Sequence, residues 1–223
     1  MRIVSWNIRQ GGGRRMDAIC SALEAWSPDV VSLQEVRGTS AEPLERHLRA
    51  LGLGHVYRPD GLPPSQNTLL IASRDPFDAG GFLSEETDAV HMLEAEMTGF
   101  TLLAAHFPQK AAQVPLFEAL LQDSASLLAL PALLIGDLNC GLPFEDSTDK
   151  TFVNAKYFQA LKDVGWNDLY RRLHGPDARD YSWISPRTGR GFRYDHALAS
   201  PSLAGGVNRL AYDHAVREAG ASD

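Results

Sequence analysis

The chain has 223 residues and a mass of 24.4 kDa, with 44% hydrophobic and 22% charged residues, a size that fits one domain with its own core. Lys and Arg number 21 against 28 Asp and Glu, and the resulting net charge of −7 excludes a generic basic coat for nucleic acid while leaving room for a local basic rim. Two cysteines without CxxC spacing, Cys20 and Cys140, exclude a disulfide framework and point to a reducing compartment. No apolar run approaches the ~20 residues of a membrane span, and the N-terminus has no secretion-signal layout, so the expectation is a cytoplasmic protein.

In chain order, Arg2–Asn7 reads as a strand stopped by Gly11–Gly13. This glycine run reads as a flexible turn, because no Gly-Lys-Ser/Thr follows to make a phosphate loop. Arg14–Trp26 is expected to be an amphipathic helix, with Met16, Ile19, Cys20 and Leu23 on one face. Val30–Leu33 is a buried strand ending at Gln34–Glu35, and Glu42–Leu51 a second helix. Strands are expected at Asn67–Ala72, Val90–Met97, Thr101–His106 and Pro131–Gly136, with helices over Gln113–Leu130 and Asn154–Val164. Further strands are expected at Tyr181–Ile184, Phe192–Ala199 and Arg209–Tyr212. Short strands with few helices predict an α/β fold of two packed sheets with helices outside.

The polar residues at the strand ends carry the functional signal. IVSWN ends in Asn7, VVSLQE in Glu35, TLLAAH in His106, and LLIGDLN in Asp137 and Asn139. Polar groups at the ends of core strands lose water unless paired or metal-bound, and four such endings together suggest a common cause. Asp137 and Asn139 share a face of an extended chain, with Leu138 opposite; Asp195 and His196 face opposite ways for the same reason. Carboxylate and amide oxygens suit a hard cation, Mg²⁺ or Mn²⁺, and the absence of HExxH or CxxC argues against zinc. Such a cation beside a carboxylate that orients water predicts phosphoryl chemistry, and no Gly-x-Ser-x-Gly elbow suggests a serine hydrolase.

The ordered motifs WN (Trp6-Asn7), LQE (Leu33–Glu35), AHF (Ala105–Phe107), GDLN (Gly136–Asn139) and RYDHALAS (Arg193–Ser200) resemble the endonuclease/exonuclease/phosphatase superfamily. The resemblance implies a four-layer α-β-β-α sandwich of two mostly antiparallel sheets and a metal-dependent phosphodiesterase or phosphatase. It implies that Glu35 binds the metal with support from Asn7, that Asp137 aligns the attacking water, that Asn139 holds the phosphate and that Asp195 orients a catalytic His. The segment DYSW followed by GRGFRYDHALAS looks most like the exonuclease III and abasic-site endonuclease branch. That makes Trp183 and Phe192 expected DNA contacts, with Arg9 and Arg193 in a basic rim that also draws on Arg14, Arg15, Lys110, Arg187 and Arg190. His106 departs from that branch, where Tyr is usual, and resembles the deoxyribonuclease I and phosphatase-like branches; there it would serve the phosphate or leaving group.

The family closes with Ser-Asp-His and a last strand; here either Asp213-His214 is the closing pair or the final Ser222-Asp223 starts the motif, and the second is favoured because no apolar run follows His214. The expectation is therefore a single domain over residues 1–223 that lacks its C-terminal strand, with Asp223 as a further catalytic and metal-site residue. The expected activity is metal-dependent DNA cleavage, endo or exo. Two alternatives stand beside it: a phosphatase or phosphodiesterase for small or lipid-linked phosphates, and an inactive binding domain without the closing His.

Overall fold

The computed structural model describes residues 1–82, 90–149 and 151–221. Its first elements are β1 (Ile3–Asn7), α1 (Met16–Trp26), β2 (Val30–Val36), α2 (Gly38–Ala50), β3 (His55–Tyr57) and β4 (Thr68–Ser73). Then come β5 (Asp78–Gly81), β6 (Met92–Met97), β7 (Phe100–His106), α3 (Val114–Ala129), β8 (Ala132–Asp137) and α4 (Ala155–Val164). The chain continues through β9 (Asn167–Asp168), α5 (Leu169–His174), β10 (Trp183–Ile184), β11 (Gly191–Phe192), β12 (Asp195–Ala199), α6 (Pro201–Ala204) and α7 (Ala215–Glu218). The fold is mixed α/β with two large sheets flanked by helices, as the sequence predicts.

Two compact units divide the chain. The first holds residues 1–98, 102–106 and the segment from His214 onward; the second holds 99–101 and 107–213.

In the first unit, the strand order β1-β2-β4-β3 starts with a parallel pair, β1 and β2, and continues antiparallel. α1 is the crossover that a parallel pair requires. Ile19 and Leu23 of α1 and Ala41, Leu44 and Leu48 of α2 recur at helical spacing and pack with Trp6, Val31, Leu33 and Leu70 in one cluster. α2 begins at Gly38, ahead of the expected Glu42, and takes Pro43 inside it. The end of the described chain joins this core: Ala221 is buried in it, and Arg15 Nη1 donates to Ala221 O at 3.0 Å.

In the second unit, β12 lies antiparallel between β8 and β9. α3 buries Leu116, Phe117 and Leu120, and α4 buries Phe158 and Leu161. Trp166 is buried with its Nε1 donating to Ser124 Oγ at 3.1 Å, and Ser124 Oγ in turn donates to Leu120 O at 2.6 Å, so no polar atom in that chain is left unpaired.

One expected strand is absent. Residues 209–212 have no regular structure, and a short helix, α7, follows. Carbonyls in and beside this stretch are taken by side chains of α5 instead of by a ladder: Arg172 Nη1 donates to Val207 O and His174 Nε2 to Leu210 O. The Phe192–Ala199 strand is likewise interrupted, into β11 and β12, at Arg193 and Tyr194.

Candidate active site

In the first unit the site is built around Glu35. β2 carries a bulge between Leu33 and Val36 in its pairing with β4, and Glu35 sits in it at φ 58°. A bulge of this kind re-aims a side chain at a strand end. Both carboxylate oxygens accept hydrogen bonds: Oε1 from Asn7 Nδ2 at 3.0 Å, and Oε2 from Gln10 N at 2.8 Å and Asn67 Nδ2 at 3.0 Å. Three donors fix the plane of the group. The Gly11–Gly13 turn makes one of these bonds possible. All three glycines have positive φ (74°, 77° and 52°), and Gly11 N donates to Glu35 O at 2.7 Å, which folds Gln10 back over the carboxylate.

Asn7 Oδ1 also accepts from Arg9 N at 2.9 Å, which sets the turn out of β1, where Arg9 is exposed. His106, half-buried at the end of β7, has Nε2 3.8 Å from Glu35 Oε1. His91 brackets it: His106 N donates to His91 O at 2.8 Å, and His91 Nδ1 donates to His106 O at 3.0 Å. Asn67, His91 and the Gln10 backbone are site neighbours that sequence reading missed. A polar residue opening a buried strand was the one signal available for Asn67.

In the second unit, β8 ends at Asp137, and the backbone turns immediately. Asn139 lies at φ 46°, with its N–H donating to Asp137 Oδ1 at 2.9 Å and its Nδ2 to Phe107 O at 2.8 Å. The two residues are thus linked through a turn in which the Asn139 backbone N–H meets the Asp137 carboxylate, while Leu138 is fully buried as expected. Gln113 Nε2 braces this turn through Leu138 O and Asn139 O, and Asn154 Nδ2 braces Gln113 Oε1. Asp195 is the register partner of Asp137 on the adjacent strand. Its backbone is held by Ser182 Oγ, which accepts its N–H at 3.1 Å, and by Tyr212 OH, which donates to its carbonyl at 2.8 Å. His196 faces the other way, buried against Phe158 with ring centroids 4.5 Å apart.

The chain matches the profile of the Endonuclease/Exonuclease/phosphatase family over residues 4–216. It belongs to that family. Exodeoxyribonuclease III of Haemophilus influenzae is 28% identical over 243 aligned residues, covering 92% of this chain and 89% of that protein. Among solved structures, an AP endonuclease from Archaeoglobus fulgidus superposes with a TM-score of 0.78 at 20% identity, covering 92% of this chain and 88% of its own. The 3′-5′ exonuclease NExo from Neisseria meningitidis gives 0.80 at 22% identity, with 97% and 93% covered. NExo from Neisseria, described as a 3′ phosphatase bound to product DNA hairpin, gives 0.81 at 22% identity with the same coverage.

For this family member, one expected substrate contact is corrected. Arg193 is 1% exposed and spends its guanidinium inside the protein. Nη1 and Nη2 take the two oxygens of Asp168 at 3.0 and 2.5 Å, Nε donates to Asp146 Oδ1 at 2.8 Å, and the group lies over the Tyr170 ring at 5.0 Å. An arginine without partners at hand would have stayed in water; here two buried carboxylates hold it. Burial raises the Asp168 carboxyl, but the hydrogen bond and charge of Arg193 outweigh it and bring its pKa down to about 2. Burial pushes His196 down to about 4, with the Arg193 charge adding to the shift. Its Nε2 donates to Cys140 O at 2.8 Å, which leaves Nδ1 unprotonated.

Trp183 and Phe192 pair across the β10–β11 hairpin and form an aromatic group with Tyr194 and Phe152; Phe192 and Tyr194 stack at 5.4 Å and 6°. Phe192 is buried in this group, while Trp183 is half-buried. Beside them a cavity of about 130 Å³ is lined by Asn139, Lys110, Gln109, Phe152 and Tyr194. Arg15 is also committed to structure, donating to Ile8 O and Arg9 O as well as Ala221 O. Arg190 pairs with Asp149. Ser222 and Asp223 lie outside the described residues.

The Glu35 carboxylate offers oxygen ligands that fit a hard divalent cation, while Asn7 turns its Nδ2 to that carboxylate and its Oδ1 to Arg9 N. Among the described residues no three His, Cys, Asp or Glu side chains are grouped to hold a metal unaided. A single carboxylate suits an ion that keeps most of its water, as Mg²⁺ does. No helix among the described residues is long and apolar enough to cross a membrane.

Proposed function

We propose that this chain is a divalent-metal-dependent DNA phosphodiesterase of the exonuclease III type, acting on abasic sites or 3′ ends, with Mg²⁺ or Mn²⁺ as its ion. The observation that carries the reading is the Glu35 carboxylate, held by three N–H donors at a strand end in a chain of this family. The name of the H. influenzae relative, matched over 92% of this chain, supports DNA as the substrate.

In this reading Glu35 and Asn7 hold the cation, which supplies Lewis-acid polarisation of the phosphate when bound. Asp137 accepts a proton from, and aligns, the attacking water; its Oδ1 bond from Asn139 N keeps it oriented. Asn139 offers its amide to a phosphate oxygen. His106 donates a hydrogen bond to a phosphate or leaving oxygen, with its backbone fixed by the His91 bracket. Asp195 orients a catalytic His. Trp183 and the exposed Arg9 contact the DNA strand.

The test is a duplex with one abasic site and a second with a 3′-phosphate, each incubated with Mg²⁺. Incision or 3′-phosphate release that vanishes in Asp137→Ala supports the reading. Turnover of small phosphomonoesters with no DNA product overturns it in favour of a small-molecule phosphatase. Metal binding with no turnover of either substrate class overturns it in favour of a binding domain.

A further inference from the structure

The loop between Asn139 and Arg193's partner Asp146 is built as a rigid arch. It leaves β8 just after Asp137 and Asn139, and it returns to β11 and β12, where Ser147 bridges Phe192 and Arg193 N donates to Asp146 O at 2.8 Å. Leu138 N, at the departing foot, donates to Tyr194 O at 2.9 Å. One foot thus follows Asp137 directly and the other is hydrogen-bonded to Arg193, two residues before Asp195, the register partner of Asp137.

Inside the arch, Leu142 N donates to Asp146 Oδ2 and Asp146 N to Leu142 O, both at 2.8 Å. Arg171 Nη2 holds Glu145 O and Asp146 Oδ1, each at 2.7 Å, and Arg193 holds Asp146 from the other side. Gly141 has no room for a Cβ: Asp146 Cβ would lie 2.8 Å from it and the Phe152 ring 3.2 Å.

At the top of this arch sits Phe144, 61% exposed and at φ 63°. An exposed apolar side chain is ordinary by itself. A phenylalanine in the left-handed region is not, because its Cβ crowds the following carbonyl. The clamped loop imposes that conformation, and the conformation holds the ring out in water on a loop whose ends adjoin the strands of Asp137 and Asp195. Strained backbone that its surroundings over-determine is found where a side chain has to be presented.

We infer that Phe144 is a stacking platform for an unpaired nucleobase of the DNA substrate. This rests on the DNA-cleaving reading above. Every base has a π-face, so stacking tolerates any sequence, but a ring reaches that face only when the base has left its duplex neighbours. The occupant is thus a frayed, mismatched or single-stranded nucleotide next to the cleaved bond, not a paired one.

The experiment compares kcat/KM on a duplex with a mismatched, frayed 3′ end and on a fully paired duplex, in Mg²⁺, for wild type, Phe144→Ala and Phe144→Trp. Wild type prefers the frayed end; Phe144→Ala reduces that preference about tenfold, and Phe144→Trp keeps it. An equal loss on both duplexes, or an unchanged preference, overturns the inference. Wild type that hydrolyses bis(p-nitrophenyl) phosphate but no DNA overturns the underlying DNA reading instead, and so separates the two failures.

Discussion

Arg193 and Asp168 meet as a fork on a carboxylate, Nη1 to Oδ1 at 3.0 Å and Nη2 to Oδ2 at 2.5 Å, with neither side chain more than 3% exposed. Asp146 completes the cluster from the loop that follows Asn139, so one arginine ties that loop, β9 and the strand bearing Asp195 together. Removing the arginine leaves the buried Asp168 carboxylate uncompensated and Asp146 with Arg171 as its remaining cation. Arg193→Met is expected to cost about 3–5 kcal/mol of stability, read from urea unfolding; a loss under about 1 kcal/mol would show the network to be incidental.

The buried ionisable groups give acid sensitivity a definite direction. His196 is held neutral, its pKa depressed to about 4 from an ordinary 6.5, so the unfolded chain binds its proton first. Its contribution is complete above about pH 6.5 and is lost as pH falls toward 4. Asp168, depressed to about 2 from 3.8, keeps its contribution above its ordinary value and loses it as pH falls through about 2. Each is of order 2–3 kcal/mol. Urea midpoints should be flat above pH 6.5 and fall below it. His196→Phe should flatten the slope between pH 6.5 and 4; an unchanged slope there contradicts the assignment.

Activity is expected to vanish with a chelator and return with Mg²⁺ or Mn²⁺. In Glu35→Gln an NH₂ faces N–H donors, and the negative charge is gone. The Mg²⁺ concentration for half-maximal rate should rise at least about tenfold, as measured by metal titration of the cleavage rate. A curve that overlays wild type removes Glu35 from the metal site.

Asp137→Asn keeps an oxygen for the Asn139 N–H, so the turn survives while the proton acceptor does not. The turnover number should drop about 10²–10⁴-fold with little change in the urea midpoint. A drop under about fivefold would mean that another group aligns the water.

Gly191 packs where a Cβ would clash with the Tyr181 ring. Gly191→Ala should open the β10–β11 hairpin and displace Trp183, weakening affinity for duplex DNA about tenfold or more by stacking lost. Fluorescence anisotropy on a catalytically inactive background checks it, and unaltered affinity would take Trp183 out of the DNA contact.

Much of the fold was legible because period and punctuation are local. Ile19 and Leu23, or Leu44 and Leu48, announce helices wherever they are met. The strand-end residues Asn7, Glu35, His106 and Asp137 were legible because polar groups ending apolar strands violate the core pattern. What was illegible depended on partners far along the chain. Residues 209–212 look like a strand, yet carbonyls there and at Val207 bond to α5 side chains instead. Arg193 reads as a surface charge until Asp146 and Asp168, 47 and 25 residues away, appear beside it.

The sequence by itself determined most element types, the family and which strands end in polar residues, because these follow from side-chain period and residue type. Tertiary structure alone decided which donors surround Glu35, which way Asn139 turns, and that Arg193 faces inward. Those outcomes rest on a bulge, three positive-φ glycines and hydrogen bonds across tens of residues, where the energy of a group is set by neighbours that no local stretch of chain contains.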